Sequence, residues 1–258
     1  MFGALILPLL MAVQPVPPSQ DRLADASSYV FRGRILKPGA STMPEVAGNK
    51  GTAVVLVEEV YHASPAMPDM RGKEITVNLA AGASAQEGLS HVFFTNVWLY
   101  GKSLAARETG RLSPDGTSRE TVAAAYEHKE ERALKARIQR AAMVVSGRIL
   151  SVAPLKQERH GAESEHDPMW WTAVLQVEGF AKGQGPRELT LAFPSSEDEL
   201  WSASPKFKEG QEGVWILQKG AGERGSSVFP VTGYTALDPR DVQPKGAWER
   251  IRKLASGR

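Results

Sequence analysis

The sequence contains no cysteine among its 258 residues. This absence excludes structural disulfides, cysteine-ligated zinc, iron–sulfur clusters, thiol nucleophiles and the lipid-carrying cysteine of a bacterial lipoprotein. Charge of one sign is also scarce, because 31 basic residues nearly balance 29 acidic ones and leave a net charge of +2. Non-specific binding to nucleic acid or to a membrane needs a concentrated basic face, so the composition argues against it. A hydrophobic fraction of 42 % predicts a globular protein of one or two domains.

The short motifs of several enzyme classes are also missing. The chain has no G-x-S-x-G, no Walker loop, no G-x-G-x-x-G after a predicted strand and no H-E-x-x-H. Acyl transfer, nucleotide hydrolysis, dinucleotide binding and zincin-type proteolysis therefore lack their local signatures. A site assembled from distant residues leaves no such signature, so the sequence favours a protein without catalytic activity and leaves the enzyme question open.

Residues 2–13 form an almost unbroken apolar run, followed by a polar, proline-rich stretch before the first charged residue, Asp21. This length matches the apolar region of a signal peptide and is too short to span a bilayer. No basic residue precedes the run and no Ala-x-Ala site follows it; a start codon further upstream would supply the basic residues. A buried strand or helix is the alternative, but four prolines between positions 8 and 18 disfavour it. We expect residues 1–20 to be an export segment, placing a protein without a transmembrane span in the periplasm or outside the cell.

An internal repeat organises the rest of the chain. The first matched block has five identities in eight positions, and the second has five in seven. All blocks keep their order, and the offset between copies stays between 114 and 123 residues. In order, the matched blocks are residues 29–36 with 143–150, 52–58 with 172–178, 74–79 with 188–193, 87–88 with 209–210, and 109–110 with 232–233.

The repeated blocks have the pattern of β-strands. Apolar and polar residues alternate in residues 74–79 and again in 188–193, which is the period of a half-buried strand. The other blocks are rich in β-branched and aromatic residues and are bounded by Gly or Pro. Five short strands in each copy predict a small barrel or sandwich. The predicted strands are residues 30–36, 52–61, 74–79, 92–99 and 103–109, and then 144–152, 172–180, 188–193, 214–217 and 227–231.

A helix is predicted after each copy. Residues 118–142 carry an apolar stripe that includes Val122 and Ile138, and a shorter helix from about Pro244 places Trp248, Ile251 and Leu254 three residues apart. The sequence therefore predicts an export segment at 1–20, a first β module at 21–117, a connecting helix at 118–142, a second β module at 143–240 and a C-terminal helix at 241–258.

The order of these elements resembles the netrin/TIMP-like group of OB-fold domains. The resemblance rests on a V-V-x-G-R-I-L strand, a strand opening on Thr and ending in Val-Glu, an alternating strand and a final Thr-Gly turn, and it covers residues 26–114 and 140–239. It implies a mainly β protein with two tandem OB-like five-stranded barrels, each followed by an α-helix, of a kind found in exported bacterial proteins. Inhibitors of that group act through an N-terminal cysteine, so metalloprotease inhibition is not carried over, and fold alone assigns no activity.

A polar cluster lies in the loop between the first two predicted strands of the second copy. His160, His166 and Asp167, with two glutamates between them, offer nitrogen and oxygen ligands within eight residues. These ligand types suit zinc or another divalent ion, so the three residues are predicted metal ligands. The alternative interpretation is a solvated surface loop. The equivalent loop of the first copy, residues 39–51, has one acidic residue and no histidine.

Trp170 and Trp171 are candidate ligand-binding residues because they open a predicted strand. Adjacent strand residues face opposite sides, so one indole is expected in the core and the other at the surface. An exposed indole could stack on a sugar, a base or an apolar group of a partner. Packing against a neighbouring helix would instead cover it.

Three functions remain open at this point. The first is a non-catalytic, exported binding or structural protein, whose partner is an unidentified protein or another component of the cell envelope. The second is a metal-binding protein or metal-dependent enzyme using residues 160–167. The third is oligosaccharide or single-strand nucleic-acid binding on a barrel face. Nucleic acid is not expected as a partner, because Arg32, Arg34, Arg148 and Lys182 are too scattered to form a basic track.

Overall fold

The computed structural model describes residues 19–101, 103–155, 169–196, 199–219 and 233–257. Contacts within the chain divide it into two compact units, residues 1–130 and 131–258. The boundary falls within a long helix, and each half of that helix packs on the barrel of its own unit. The two units are described separately below.

The first unit is built on a closed five-stranded barrel with the strand order β1-β2-β3-β5-β4. Neighbouring strands are antiparallel except β3 and β5, whose parallel pairing closes the barrel. The elements are α1 (Gln20–Asp25), β1 (Tyr29–Pro38), β2 (Thr52–His62), β3 (Glu74–Asn78), β4 (Ser90–Tyr100), β5 (Leu104–Leu112) and α2 (Arg119–Arg140).

The second unit repeats this barrel with one added strand. β10 pairs with both β8 and β9, which closes the five strands β6 to β10, and β11 extends the sheet beside β9. The elements are β6 (Met143–Pro154), β7 (Trp170–Lys182), β8 (Glu188–Pro194), α3 (Glu199–Ser202), β9 (Glu212–Lys219), β10 (Tyr234–Thr235), a 3-10 turn (Pro239–Asp241), β11 (Val242–Gln243), a second 3-10 turn (Lys245–Ala247) and α4 (Trp248–Ser256).

The predicted architecture of two tandem five-stranded barrels, each followed by a helix, is confirmed. The second barrel is closed by Tyr234–Thr235, which the sequence analysis did not predict as a strand, and the predicted strand at 227–231 lies outside the described residues. The sequence analysis also missed α1, α3 and β11, because elements of two to six residues are too short to show a periodic pattern.

The repeated glycine has the same structural reason in both barrels. A Cβ at Gly33 would lie 2.6 Å from Val55 Cγ1, and one at Gly147 would lie 2.1 Å from the carbonyl oxygen of Gln176. The ladder between the first two strands of each barrel is also irregular at these glycines. At these two positions the paired strand approaches so closely that only glycine fits, and β1 and β6 are irregular there.

Each barrel has an apolar interior and one outer face covered by helices. Val30, Val92 and Phe94 form this outer face in the first unit, where α1 and the N-terminal half of α2 cover them. The equivalent residues in the second unit are Val144, Val214 and Ile216, and they pack against α4 and the C-terminal half of α2. Strands with both faces covered need apolar residues at consecutive positions, as these strands have.

Candidate functional site

The hairpin formed by β4 and β5 carries exposed aromatic side chains. β4 pairs with β1 only from Ser90 to Thr95, and it continues to Tyr100 with β5 as its partner. In this extension Trp98 is 40 % exposed and Tyr100 is 62 % exposed. Large apolar side chains at such exposure are available to a ligand, whereas the aromatic residues earlier in the strand are buried.

A strand irregularity places Trp98 beside an arginine. The register between β4 and β5 shifts between Val97 and Leu99, so Trp98 has no opposite residue in the ladder. Arg107, which lies opposite Asn96 in β5, extends over the exposed indole, with its guanidinium carbon 4.4 Å from the ring centroid. This is a cation–π contact, which restrains both side chains. We call Trp98, Tyr100 and Arg107 the hairpin patch.

The loop at residues 39–51 braces the hairpin. Met43 and Val46 of this loop are buried against Ala105 of β5, with Leu99 packed beside them. The loop is therefore anchored on the outer face of the barrel by apolar contacts.

Hydroxyl groups fix the same loop across β3. The Thr42 hydroxyl lies 3.0 Å from that of Thr76 and 2.9 Å from that of Ser103, and the Thr42 backbone N–H donates to the Thr76 hydroxyl at 2.8 Å. Ser103 in turn donates to the backbone carbonyl of Glu74. These bonds link the loop, β3 and the hairpin, so the hairpin is held in place before any ligand binds.

Arg107 differs from most arginines of its unit in lacking an acidic partner. Within the described part of the chain, no hydrogen bond or ion pair involves its guanidinium. Hydrogen bonds from Arg71, by contrast, lower the pKa of the Asp69 carboxyl to about 2. Five arginines of the first unit form ion pairs: Arg32 and Arg34 with Glu58, Arg71 with Asp69, Arg111 with Glu108, and Arg119 with Glu59.

A shallow cavity of about 290 Å³ adjoins the hairpin patch at Tyr100. It lies between the hairpin and the start of β3, and it combines an apolar side chain with charged and hydroxyl groups. Its lining residues are Met70, Lys73, Glu74, Tyr100, Gly101 and Ser103. Together, the patch and the cavity offer stacking surfaces, cationic donors and polar groups, which are the means of molecular recognition.

The predicted ligand-binding tryptophans are placed differently from the hairpin patch. Trp170 is 4 % exposed and packs edge-on against Trp201 of α3, with ring centroids 5.7 Å apart. Trp171 is partly buried and packs against the interior of the second barrel. The two indoles face opposite sides of β7 as expected, but another tryptophan covers the one outside the barrel.

The predicted metal ligands His160, His166 and Asp167 lie outside the described residues. Within the described ranges, no three His, Asp or Glu side chains come together in a way that could hold a metal ion. The metal site stays a prediction, which the zinc content of untagged protein would test against a variant with both histidines changed to Ala.

The sequence analysis missed the hairpin patch, although a signal for it exists. Trp98, Leu99 and Tyr100 are three consecutive apolar residues beside the turn at Gly101. Alternating strand geometry cannot direct all three into one core, so at least one must face outward. Arg107 carries no comparable signal, because its contact with Trp98 depends on the pairing of two strands.

Comparisons with known proteins do not identify the chain: no protein-family model matches it, and no curated protein matches it. Among the helices in the described part of the chain, none is long and apolar enough to cross a membrane.

Proposed function

We propose that the protein is a non-catalytic, exported binding protein whose first OB-like barrel holds its ligand at the hairpin patch. The observation that carries this proposal is the exposed Trp98 indole under Arg107, whose guanidinium pairs with no acidic group in the described part of the chain. Exposed aromatic residues and arginines are the side chains that contribute most to binding at protein interfaces.

The position of the patch on the barrel supports this proposal. In OB folds, ligands bind beside the connection between the first two strands and the connection between the last two. Here those connections are the loop at residues 39–51 and the β4–β5 turn, and they meet through Thr42 and Ser103. The resemblance to netrin/TIMP-like domains concerns the fold and names no ligand.

Binding through the patch is tested with a panel of defined probes. Neutral and acidic oligosaccharides, acidic and basic peptides, and a single-stranded oligonucleotide are immobilised, and retention of the full chain is measured. We expect at least one probe class to retain the wild type and to lose the Trp98→Ala, Tyr100→Ala double variant. Leu89→Ala is the matched control, because Leu89 is 44 % exposed at the opposite end of β4. Equal retention of both variants, or no retention of the wild type, would contradict the proposal.

Export is tested separately. Residues 1–20 are fused to a reporter enzyme that is active only outside the cytoplasm, both as they stand and with basic residues added before the apolar run. We expect reporter activity from the fusion, and its loss when charged residues replace Leu9 and Leu10 in the run. An inactive reporter in both fusions would contradict export.

A further inference from the structure

Within the described part of the chain, the Arg107 guanidinium presents a free set of donors beside the exposed Trp98 ring. In the described residues it forms no hydrogen bond, although it lies 4.4 Å from the Trp98 ring centroid. A guanidinium binds carboxylate or phosphate groups through paired N–H donors. Because the indole already restrains the arginine, less conformational entropy is lost when an anion binds. The ligand of the hairpin patch should therefore carry an anionic group.

The local charge distinguishes between a carboxylate ligand and a nucleic acid. Among the described residues that line the cavity beside Tyr100, Lys73 carries a positive charge and Glu74 a negative one. A nucleic acid carries a phosphate on every nucleotide. Proteins that bind it therefore have a groove with several Lys and Arg residues along the path of its backbone. The mixed charge of the described residues at the hairpin patch and its cavity instead fits a ligand with well-spaced single charges.

The shape of the hairpin favours sugar rings over an extended peptide. Peptides that add to a sheet need a regular strand edge, and the register shift at Trp98 interrupts β4 at this point. Trp98 and Tyr100 offer rigid, flat surfaces to the apolar face of a sugar ring. The cavity of about 290 Å³ adds Lys73, Glu74 and Ser103, whose polar groups suit sugar hydroxyls.

Resting on the binding function proposed above, we propose that the hairpin patch binds an acidic oligosaccharide, a chain containing uronic acid units. Arg107 binds a carboxylate, Trp98 and Tyr100 stack on sugar rings, and the cavity residues hydrogen-bond to hydroxyl groups. This assignment predicts that Arg107→Lys, which keeps the charge but loses the paired donors, weakens binding.

The experiment is titration calorimetry of the full chain with four probes: a galacturonate oligomer, a mannuronate oligomer, the methyl ester of the first, and a thymidine oligonucleotide. We expect a uronate oligomer to bind at least about tenfold more tightly than the neutral ester, since a hydrogen bond to a charged group has about that effect. Trp98→Ala and Arg107→Lys should each weaken uronate binding by about tenfold or more.

Two variants with unchanged hairpins serve as matched controls. Arg34→Ala removes an exposed arginine from β1 of the same barrel, and Leu89→Ala removes an exposed apolar residue; both should keep wild-type affinity. Circular dichroism and the thermal midpoint of each variant verify that it is folded.

The outcomes separate the ligand class from the binding function. If the oligonucleotide binds more tightly than both uronates and the hairpin variants abolish that binding, the saccharide assignment is wrong and the proposed binding function stands. Uronate binding that is equal in the wild type, Trp98→Ala and Arg107→Lys would overturn the role of the patch itself. A wild type that binds neither uronate oligomer would overturn the acidic-saccharide assignment.

Discussion

The two barrels share a repeat and a strand order, but they differ at their outer faces. Thr76 of β3 is buried beneath the loop at residues 39–51, where it hydrogen-bonds to Ser41 and Thr42. Its counterpart in β8, Thr190, is exposed. The same residue type is therefore covered in one copy and exposed in the other. The repeat therefore identifies the fold, but it does not determine which residues of the outer face a loop covers.

The barrel interiors differ in residue type at one pair of equivalent positions. Phe93 in β4 and Trp215 in β9 occupy equivalent positions, and both side chains are fully buried. Phe93 stacks on Phe31, while the Trp215 indole nitrogen is buried without a hydrogen-bond partner among the described residues. The second barrel thus fills the same position with a larger ring and leaves a polar atom unpaired.

The largest expected effect comes from emptying these equivalent positions. Phe93→Ala and Trp215→Ala should each destabilise their unit by about 3–5 kcal/mol, because a buried aromatic ring is replaced by a cavity. Urea unfolding followed by peptide-level hydrogen exchange assigns the loss to one unit. Trp215→Phe should cost far less, since it restores the residue type of the first barrel and removes the unpaired nitrogen. A Trp215→Phe variant as unstable as Trp215→Ala would refute the equivalence of the two interiors.

The repeated glycine gives a sharper comparison. Gly147→Ala should cost about 3 kcal/mol and Gly33→Ala about 2 kcal/mol, because the new Cβ meets backbone oxygen at 2.1 Å in the second barrel and mainly a side-chain carbon at 2.6 Å in the first. Chemical denaturation of both variants measures the order. Gly246→Ala is the control, since its Cβ would meet no atom within 4 Å. A larger loss of stability for Gly33→Ala than for Gly147→Ala would contradict this explanation, because it would mean that the Val55 side chain cannot move away from the new Cβ.

Each unit also contains a buried ion pair. Removing the arginine of each pair allows the two losses of stability to be compared. Arg111 donates to Glu108 at 2.6 Å, and Arg137 donates to Asp241 at 2.8 and 2.6 Å. Arg111→Met and Arg137→Met should each cost about 2–3 kcal/mol, because a buried carboxylate is left without its partner. When the acidic partner, Glu108 or Asp241, is also changed to its amide in the same variant, part of the lost stability should be recovered. Thermal unfolding of the single and double variants measures the coupling, and fully additive losses would contradict it.

The smallest expected effect is a difference between the two units in how their stability changes in mild acid. In the first unit, burial lowers the pKa of His62 and His91, helped by Lys129 and Arg111 respectively. Because the folded-state pKa is lowered, the unfolded chain binds protons first, and stability falls as the pH drops below about 6.5. The loss should be about 1 kcal/mol or less between pH 7 and 5.

The second unit contains an opposing group. Burial raises the pKa of Asp241 despite its bonds to Arg137, so as the pH falls the folded state takes up this proton before the unfolded chain does, which favours the folded state. Hydrogen exchange at pH 7 and pH 5, corrected for intrinsic rates, compares the units within one sample. The His62→Gln, His91→Gln variant should abolish the loss in the first unit. If the first unit still lost stability at pH 5 in this variant, groups other than the two histidines would be responsible.

Particular elements show how far the sequence could predict the structure. The alternation at 74–79 and 188–193 predicted β3 and β8, and the helix predicted at 118–142 matches Arg119–Arg140. The loop at 39–51 had no pattern, yet its Met43 and Val46 are buried. For the candidate site, the sequence analysis selected Trp170 and Trp171 rather than Trp98, because adjacent tryptophans are conspicuous and a register shift in β4 is not visible in one strand.

The sequence by itself determined the repeated strands and the helices that follow them, because period-two alternation and apolar stripes are local properties of the chain. The closure of the strands into two barrels was expected only from the resemblance to OB-fold domains. Only the tertiary structure decided which outward residues are covered. Trp170 and Trp98 both occupy strands, but Trp201 packs on the first, while Arg107 stacks on the second and leaves it 40 % exposed. The physical reason is that a strand pattern assigns a side chain to a face, whereas exposure depends on whether a distant segment folds over that face.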